Sequence, residues 1–308
     1  MKIIVTGGAG FIGSHAVDAL IESGHEILVI DNLSSGRREN VRKGAAFHEA
    51  DIQDGEMKRL FSDFSPDAVA HFAAQIDVRK SVANPVDDAK INILGSLNVI
   101  EAARACGCRK IIFSSTGGAI YGDTDVVPTP ESHEAFPVSP YGVAKLSFER
   151  YMHYYGEVHG ISYTALRFAN VYGERQNAKG EAGVVSIFAD IILGGGVPKI
   201  YGDGTQTRDY VYVKDVARAV ALALEKNISG IYNVGTGRET DVNYLSDLVA
   251  KALEFHGNFE YAPPRQGEQK RSALDYSKIR DTLQWEPKVA LEVGIPITCE
   301  WFREGYRA

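Results

Sequence analysis

Short apolar runs alternate with spaced apolar positions along the N-terminal half of the chain. Lys2 to Val5 is such a run, rich in β-branched residues, and it leads through Thr6-Gly7-Gly8-Ala9-Gly10-Phe11-Ile12-Gly13 into a helical pattern reaching Ile21. Ile27 to Ile30, Ala68 to Ala73 and Lys110 to Ser114 read as further strands, with an amphipathic stretch, Asp87 to Ala105, between the last two. Tyr141 to Val158 reads as another helix, and Arg208-Asp209-Tyr210-Val211-Tyr212-Val213 alternates like a strand. Strands separated by helices predict a doubly wound parallel α/β sheet whose ligand lies beyond the strand C-termini. At 308 residues there is room for one large domain and a smaller lobe. The expected division is 1–168, with the chain returning around 205–240, and a mixed α/β lobe over 169–308.

The first turn carries the most specific chemistry. Strand, glycine-rich turn and helix in that order form the context of a phosphate-cradling loop. Gly7 and Gly10 allow a tight turn close to a pyrophosphate, and Gly13 allows helix and strand to pack closely, as in a Rossmann sheet. Asp31 follows the second strand, 18 residues after Gly13. A carboxylate there accepts from an adenosine ribose diol and repels a 2′-phosphate, which points to NAD over NADP. Arg37 and Arg38 just beyond it weigh the other way unless they belong to a solvated loop. Asp51-Ile52 either borders an adenine or, through Asp51, caps the helix before Met57.

A second constellation sits in Ser139-Pro140-Tyr141-Gly142-Val143-Ala144-Lys145. Tyr141 and Lys145, four apart on a helix, share one face, and a nearby cation favours phenolate over phenol. Tyr210 and Lys214 have the same spacing but lie on the predicted strand, where residues four apart are roughly 13 Å from each other. Ser114, Ser115 and Thr116 place hydroxyls at the end of a predicted strand, followed by Tyr121-Gly122.

Composition removes several alternatives. A net charge of −7 argues against nucleic acid as a main partner. Cys106, Cys108 and Cys299 form no metal-binding pattern, so no metal is expected and free thiols in a reducing cytosol are. The first strand begins at residue 2, leaving no space for a signal peptide, and no 18-residue apolar run is long enough to span a membrane, so a cytoplasmic protein is expected.

Taken together, Thr6-Gly7-x-x-Gly10-x-x-Gly13, Asp31-Asn32-Leu33, His71-x-Ala73-Ala74, Asn92 and Tyr141-x-x-x-Lys145 resemble the extended short-chain dehydrogenase/reductase (NAD-dependent epimerase/dehydratase) family. The likeness runs over essentially the whole chain and is strongest to the nucleotide-sugar 4-epimerases. It implies NAD held by Gly7, Gly10, Phe11, Ile12, Asp31, Asn32, Asp51, Ile52, Ala73, Ala74, Asn92, Tyr141, Lys145 and Phe168. It also implies a UDP-hexose substrate (UDP-glucose and UDP-galactose), epimerised at C4 through a 4-keto sugar. Thr116 would hydrogen-bond the 4-oxygen, with Ser115 a competitor because this segment is one residue longer than the common pattern. Tyr141 would remove the hydroxyl proton and Lys145 would hold the nicotinamide ribose. Related dehydratases and decarboxylases carry an acid here, whereas Gly117-Gly118-Ala119 has none. By the same resemblance Asn170, Arg208, Arg265 and Glu268 would hold the diphosphate and ribose, and Val184 and Val185 would pass near uracil. Ser272 in place of a bulky residue would admit an N-acetylated sugar. Trp285 reads as core. The helices Asp87 to Ala105 and Tyr141 to Val158 would form a four-helix homodimer contact. A 4-keto-sugar reductase or a UDP-glucuronate 4-epimerase is the alternative within the family, and a non-catalytic NAD-sensing protein on the same fold would lack the Tyr141/Lys145 pair.

Overall fold

The computed structural model describes residues 1–178, 183–226, 228–264 and 269–307. The strands in chain order are β1 (Lys2–Thr6), β2 (Glu26–Asp31), β3 (Ala46–Glu49), β4 (Ala68–His71), β5 (Lys110–Thr116), β6 (Ser162–Phe168), β7 (Asn170–Tyr172), β8 (Lys199–Tyr201), β9 (Thr207–Arg208), β10 (Tyr210–Tyr212), β11 (Gly230–Val234), β12 (Thr240–Asp241) and β13 (Glu260–Ala262). Seven of them form one parallel sheet in the order β11-β6-β5-β4-β1-β2-β3. The others pair in twos: β7 with β10, β9 with β12, β8 with β13.

The helices are α1 (Phe11–Glu22), α2 (Met57–Phe64), α3 (Val78–Ala83), α4 (Pro85–Ala89), α5 (Ser96–Ala105), α6 (Gly117–Ile120), α7 (Pro140–His159), α8 (Val184–Leu193), α9 (Val213–Glu225), α10 (Val242–Leu253), α11 (Ser277–Leu283) and α12 (Leu291–Arg307). Alternate strand residues enter opposite layers, as the two-residue period of a strand requires. Ile3, Val5, Ile27 and Val29 pack against α1 and α9, while Ile4, Leu28, Ile30 and Phe113 pack against α2, α5 and α7. A third cluster, with Tyr172, Phe188, Leu245 and Ile295, joins α8, α10 and α12 in the smaller lobe. Trp285 is fully buried, as expected of core, and its indole N–H donates to the Asp215 carbonyl at 2.9 Å.

Two sequence expectations need correction. The stretch Asp87 to Ala105 is not one regular helix: α4 runs through a widened π turn, Lys90–Gly95, into α5. The extra residue in such a turn re-aims a side chain; here Asn92 turns inward and clamps the Gln75 backbone, as described below. The alternating segment after Arg208 ends as a strand at Tyr212, and Lys214 lies in α9, where its ammonium meets Glu174 Oε1 at 2.8 Å. Tyr210 and Lys214 therefore share neither a strand nor a helix face.

Candidate active site

The glycine turn after β1 is built by exclusion of side chains. Gly7 has φ +70°, and a Cβ there would stand 2.5 Å from the Ala73 nitrogen. At Gly13 a Cβ would stand 2.1 Å from the Gly7 carbonyl oxygen, so α1 can approach the turn only without one. Gly10 caps α1 without a side-chain hydrogen bond, and an added Cβ would meet only the Gly7 carbonyl oxygen within 4 Å, at 3.2 Å. The first-turn N–H groups of α1 thus face open space, the arrangement that binds an anion.

That space is a cleft of about 900 Å³ along the C-terminal ends of the sheet. Gly7, Gly10, Phe11 and Ile12 line one end with Asp31, Asn32, Asp51 and Ile52, and Ala73, Ala74 and Phe168 line its middle. Asp31 is buried and fixed: Oδ2 accepts from the Ala9 N–H and Oδ1 from the Leu33 N–H, both at 2.9 Å. Each oxygen keeps a second acceptor direction. Asp51 does not cap α2, whose first residue follows an uncapped Glu56. It accepts instead from Asn32 Nδ2 at 2.7 Å and from the Gln53 N–H at 2.9 Å. Partial burial works upward on its pKa, but these bonds bring it below the ordinary aspartate value. A side-chain-free cradle at a helix N-terminus, followed by a fixed carboxylate and a second one at the rim, fits a dinucleotide with a free ribose diol. Arg37 also lines the cleft, whereas Arg38 lies over the Phe47 ring at 4.3 Å.

Thr116, Tyr141 and Lys145 open on the same cleft. Helix α7 starts sharply because the Ser139 hydroxyl accepts from the Gly142 N–H and Pro140 opens the first turn. Tyr141 and Lys145 therefore occupy fixed consecutive turns. Lys145 is 3% exposed and donates to the Ser114 carbonyl at 2.9 Å, with its ammonium 4.7 Å from the Phe113 ring centre. Burial lowers its pKa from 10.5 to about 8, while Asp88 and Glu149 pull upward. Ser115 and Thr116 are told apart by their partners. The Ser115 hydroxyl is buried and donates to Glu149 Oε1 at 2.6 Å. Thr116 Oγ1 accepts from the Ala119 N–H at 3.3 Å, which leaves its own proton for a ligand.

His71 supports the cradle from below. Ser96 Oγ donates to the Asn92 carbonyl at 2.8 Å and so accepts from His71 Nε2, 2.9 Å away. Nδ1 is then left to accept from Thr6 Oγ1 at 2.6 Å. Burial first, and then the Lys145 charge, push this imidazole down to about 3, so it is neutral at physiological pH.

The remaining site residues fall in several places. Asn92 is buried away from the cleft: its amide donates to the Gln75 carbonyl at 2.8 Å and to Asp88 Oδ1 at 2.9 Å, and Oδ1 accepts from the Gln75 N–H at 2.9 Å. It shapes the cleft wall through Gln75 rather than facing the cleft itself. The Asn170 carboxamide lies 3.9 Å from where a Gly118 Cβ would stand, so it looks onto the turn after Thr116. Val184 is half-buried at the start of α8, but Val185 is buried in the smaller lobe's core, with no face to the cleft. Arg208 is half-buried in β9 and donates to the Thr207 carbonyl at 2.7 Å; Ser272 is buried nearby, where the Thr207 N–H meets the Lys270 carbonyl. Arg265 and Glu268 lie outside the described residues.

Some of the lining carries no motif. Arg175 reaches the cleft while bound to Asp18 at 2.8 Å, and Trp301, Phe302 and Tyr306 reach it from the end of α12. The aromatic residues spaced along an amphipathic C-terminal helix are the one available sign. Among the described residues, no group of three or more His, Cys, Asp or Glu side chains is placed to hold a metal ion.

UDP-glucose 4-epimerase from Thermotoga maritima, solved with UDP-glucose, is 51% identical over 99% of each chain and superposes with a TM-score of 0.97. The UDP-glucose 4-epimerase of Thermus thermophilus, solved with NAD, is 46% identical over 98% of this chain and 99% of that one, with a TM-score of 0.93. UDP-N-acetylglucosamine 4-epimerase from Methanobrevibacter ruminantium, in complex with UDP-N-acetylmuramic acid, is 37% identical over 99% of this chain and 98% of that one, with a TM-score of 0.94. The family profile matches residues 3–235, from β1 through the last strand of the large sheet, and the chain belongs to the NAD dependent epimerase/dehydratase family.

Proposed function

We propose that this chain is a UDP-hexose 4-epimerase, inverting C4 reversibly through a 4-keto sugar while retaining NAD. One observation carries the reading: Thr116, Tyr141 and Lys145 open on the same cleft as the glycine cradle and Asp31. The likeness to enzymes that bear this name supports it.

Residues Gly7 to Gly13 would hold the pyrophosphate against α1, and Asp31 the adenosine ribose. When bound, the dinucleotide supplies a reversible hydride acceptor for the sugar carbon. The work of the chain is proton transfer and positioning. Tyr141 takes the proton of the C4 hydroxyl and, once the 4-keto sugar has turned its other face toward the dinucleotide, returns it to the same oxygen, acid–base help typically worth 10² to 10⁴ in rate. Thr116 donates to the same oxygen and holds it in line. Lys145, still largely protonated at neutral pH with a pKa of about 8, favours the phenolate of Tyr141, whose ring centre is 5.7 Å from the ammonium. The turn Gly117-Gly118-Ala119 offers no carboxylate, so a C5 proton is left in place and elimination does not compete.

Arg208, Arg265, Glu268 and Asn170 are proposed for the UDP moiety. Ser272 is small and leaves room for an N-acetyl group. The assay is a panel of UDP-glucose, UDP-galactose and their N-acetylated forms, followed for C4 inversion by NMR. Inversion of none of the four would refute the proposal, and inert acetylated sugars would refute the role of Ser272.

A homodimer completes the reading. Val82, Val86 and Leu94 are exposed on and beside α3 and α4, as are Val143, Tyr151, Tyr154 and Val158 on α7, so these helices present apolar surface that a second copy would cover. Tyr154→Lys should shift the sedimentation coefficient from dimer to monomer. The protein is proposed to work in the cytoplasm; no helix among the described residues is long and apolar enough to cross a membrane.

A further inference from the structure

Behind the cleft lies a buried ion pair that the chemistry above does not use. Glu149 is 1% exposed and Arg167 3% exposed; Arg167 Nε donates to Oε1 at 3.0 Å and Nη2 to Oε2 at 2.6 Å. Such a pair is weak support for stability, because desolvating two charges offsets most of their attraction. Its place in the fold is more informative. Glu149 lies one turn beyond Lys145, which lies one turn beyond Tyr141, so the three side chains share a face of α7. Arg167 lies directly opposite Ser115 across the β5–β6 ladder, and the next pair along is Thr116 with Phe168. Ser115 donates to the same Oε1 that accepts from Arg167 Nε.

Two consecutive residues of β5 are thus bonded to two consecutive turns of α7, Ser114 to Lys145 and Ser115 to Glu149. On its other side the guanidinium lies 4.9 Å from the Tyr121 ring centre, and the Tyr121 hydroxyl donates to Asn233 Oδ1 at 2.8 Å. Asn233 is the β11 residue opposite Arg167. The polar chain Ser115–Glu149–Arg167–Tyr121–Asn233 therefore spans α7 and the three strands on the catalytic side of the sheet. Ser115 and Thr116 point to opposite faces of β5, so fixing one sets the rotation that aims the other.

We propose that Glu149 and Arg167 are positioning residues for the 4-epimerase reaction, acting through Ser115 to hold the Thr116 hydroxyl in register with Tyr141. This rests on the function proposed above. The pair touches neither sugar nor dinucleotide; it sets where a reacting hydroxyl stands, and a displacement near 1 Å at such a site costs on the order of 10² in rate.

The experiment uses the full-length protein with its bound NAD. Ser115→Ala removes one hydroxyl and leaves the ion pair in place. The expected result is a kcat for C4 inversion reduced about tenfold or more, with KM, NAD content and Tm close to wild type. Ser115→Thr, which keeps the hydroxyl, should recover most of the rate. Glu149→Gln should lower kcat about 10²-fold; should it fail to fold, Ser115→Ala decides alone. An unchanged kcat in Ser115→Ala, whatever its Tm, overturns the proposal, since a purely structural serine would move only stability. A wild-type chain that leaves C4 untouched overturns the functional reading and this proposal with it.

Discussion

Lys145 works at a cost to the fold, and that cost can be measured. Its ammonium is 3% exposed and its pKa falls from 10.5 to about 8. At about 1.36 kcal/mol for each pH unit between those values, the buried charge destabilises the folded state by about 3 kcal/mol at any pH below about 8. Lys145→Met keeps the length of the side chain and removes the charge. The Ser114 carbonyl loses a hydrogen bond, a loss of about 1 kcal/mol, so the variant should be more stable than wild type by about 2 kcal/mol at pH 7. The sign with pH follows from linkage. Between about pH 8 and pH 10.5 the unfolded lysine binds a proton that the folded one does not, so wild-type stability rises through that window and the advantage of the variant closes. Urea unfolding at pH 7, 8.5 and 10, on both proteins freed of nucleotide by charcoal treatment, measures the difference directly. The same substitution should reduce epimerisation by about 10²-fold or more. A variant less stable than wild type at pH 7, or a gap that does not narrow with pH, would refute the assignment of Lys145 as a desolvated ammonium.

Three further substitutions probe the cleft. Tyr141→Phe should retain NAD on purification yet lose roughly 10² to 10⁴ in inversion rate; full activity would end the proton-transfer role. Gly13→Ala puts a Cβ 2.1 Å from the Gly7 carbonyl oxygen, so the protein should emerge without nucleotide or unfold, as absorbance of an acid extract and circular dichroism would report. Asp31→Ala removes the carboxylate at the end of β2 and should raise NADP affinity relative to NAD by about tenfold or more in calorimetry, with an unchanged ratio counting against Asp31 as the selecting group.

The site is legible where chemistry is local in sequence. Gly7, Gly10, Gly13 and Asp31 form a motif because one turn and one strand end must meet one ligand, and Tyr141 and Lys145 because a helix fixes their spacing. Residues whose meaning depends on distant partners are not legible in the same way. Nothing around Ser115 announces that Glu149 and Arg167 take up its hydroxyl; that arrangement appears only once β5, β6 and α7 are packed together. Asn92 has the place of a ligand residue in the pattern; a π turn directs it to the Gln75 backbone instead. Val185, next to a half-buried Val184, enters the core because it shares with Phe188 the face of α8 that packs with Leu245 and Ile295.

The last strand of the large sheet has a consequence for synthesis. β11 adds beside β6 only after the chain has left to build β7 through β10 and α9, and it brings Asn233 opposite Arg167. A nascent chain that has reached Phe168 holds six of the seven strands with the β6 edge unpaired, and such edges invite wrong partners. The sheet is therefore complete only when residues 230–234 are available to pair, a contact of long sequence separation of the kind that slows folding. A truncation after Phe168 would leave that edge without its β11 partner, so the large sheet is complete only in a chain that continues past residue 234.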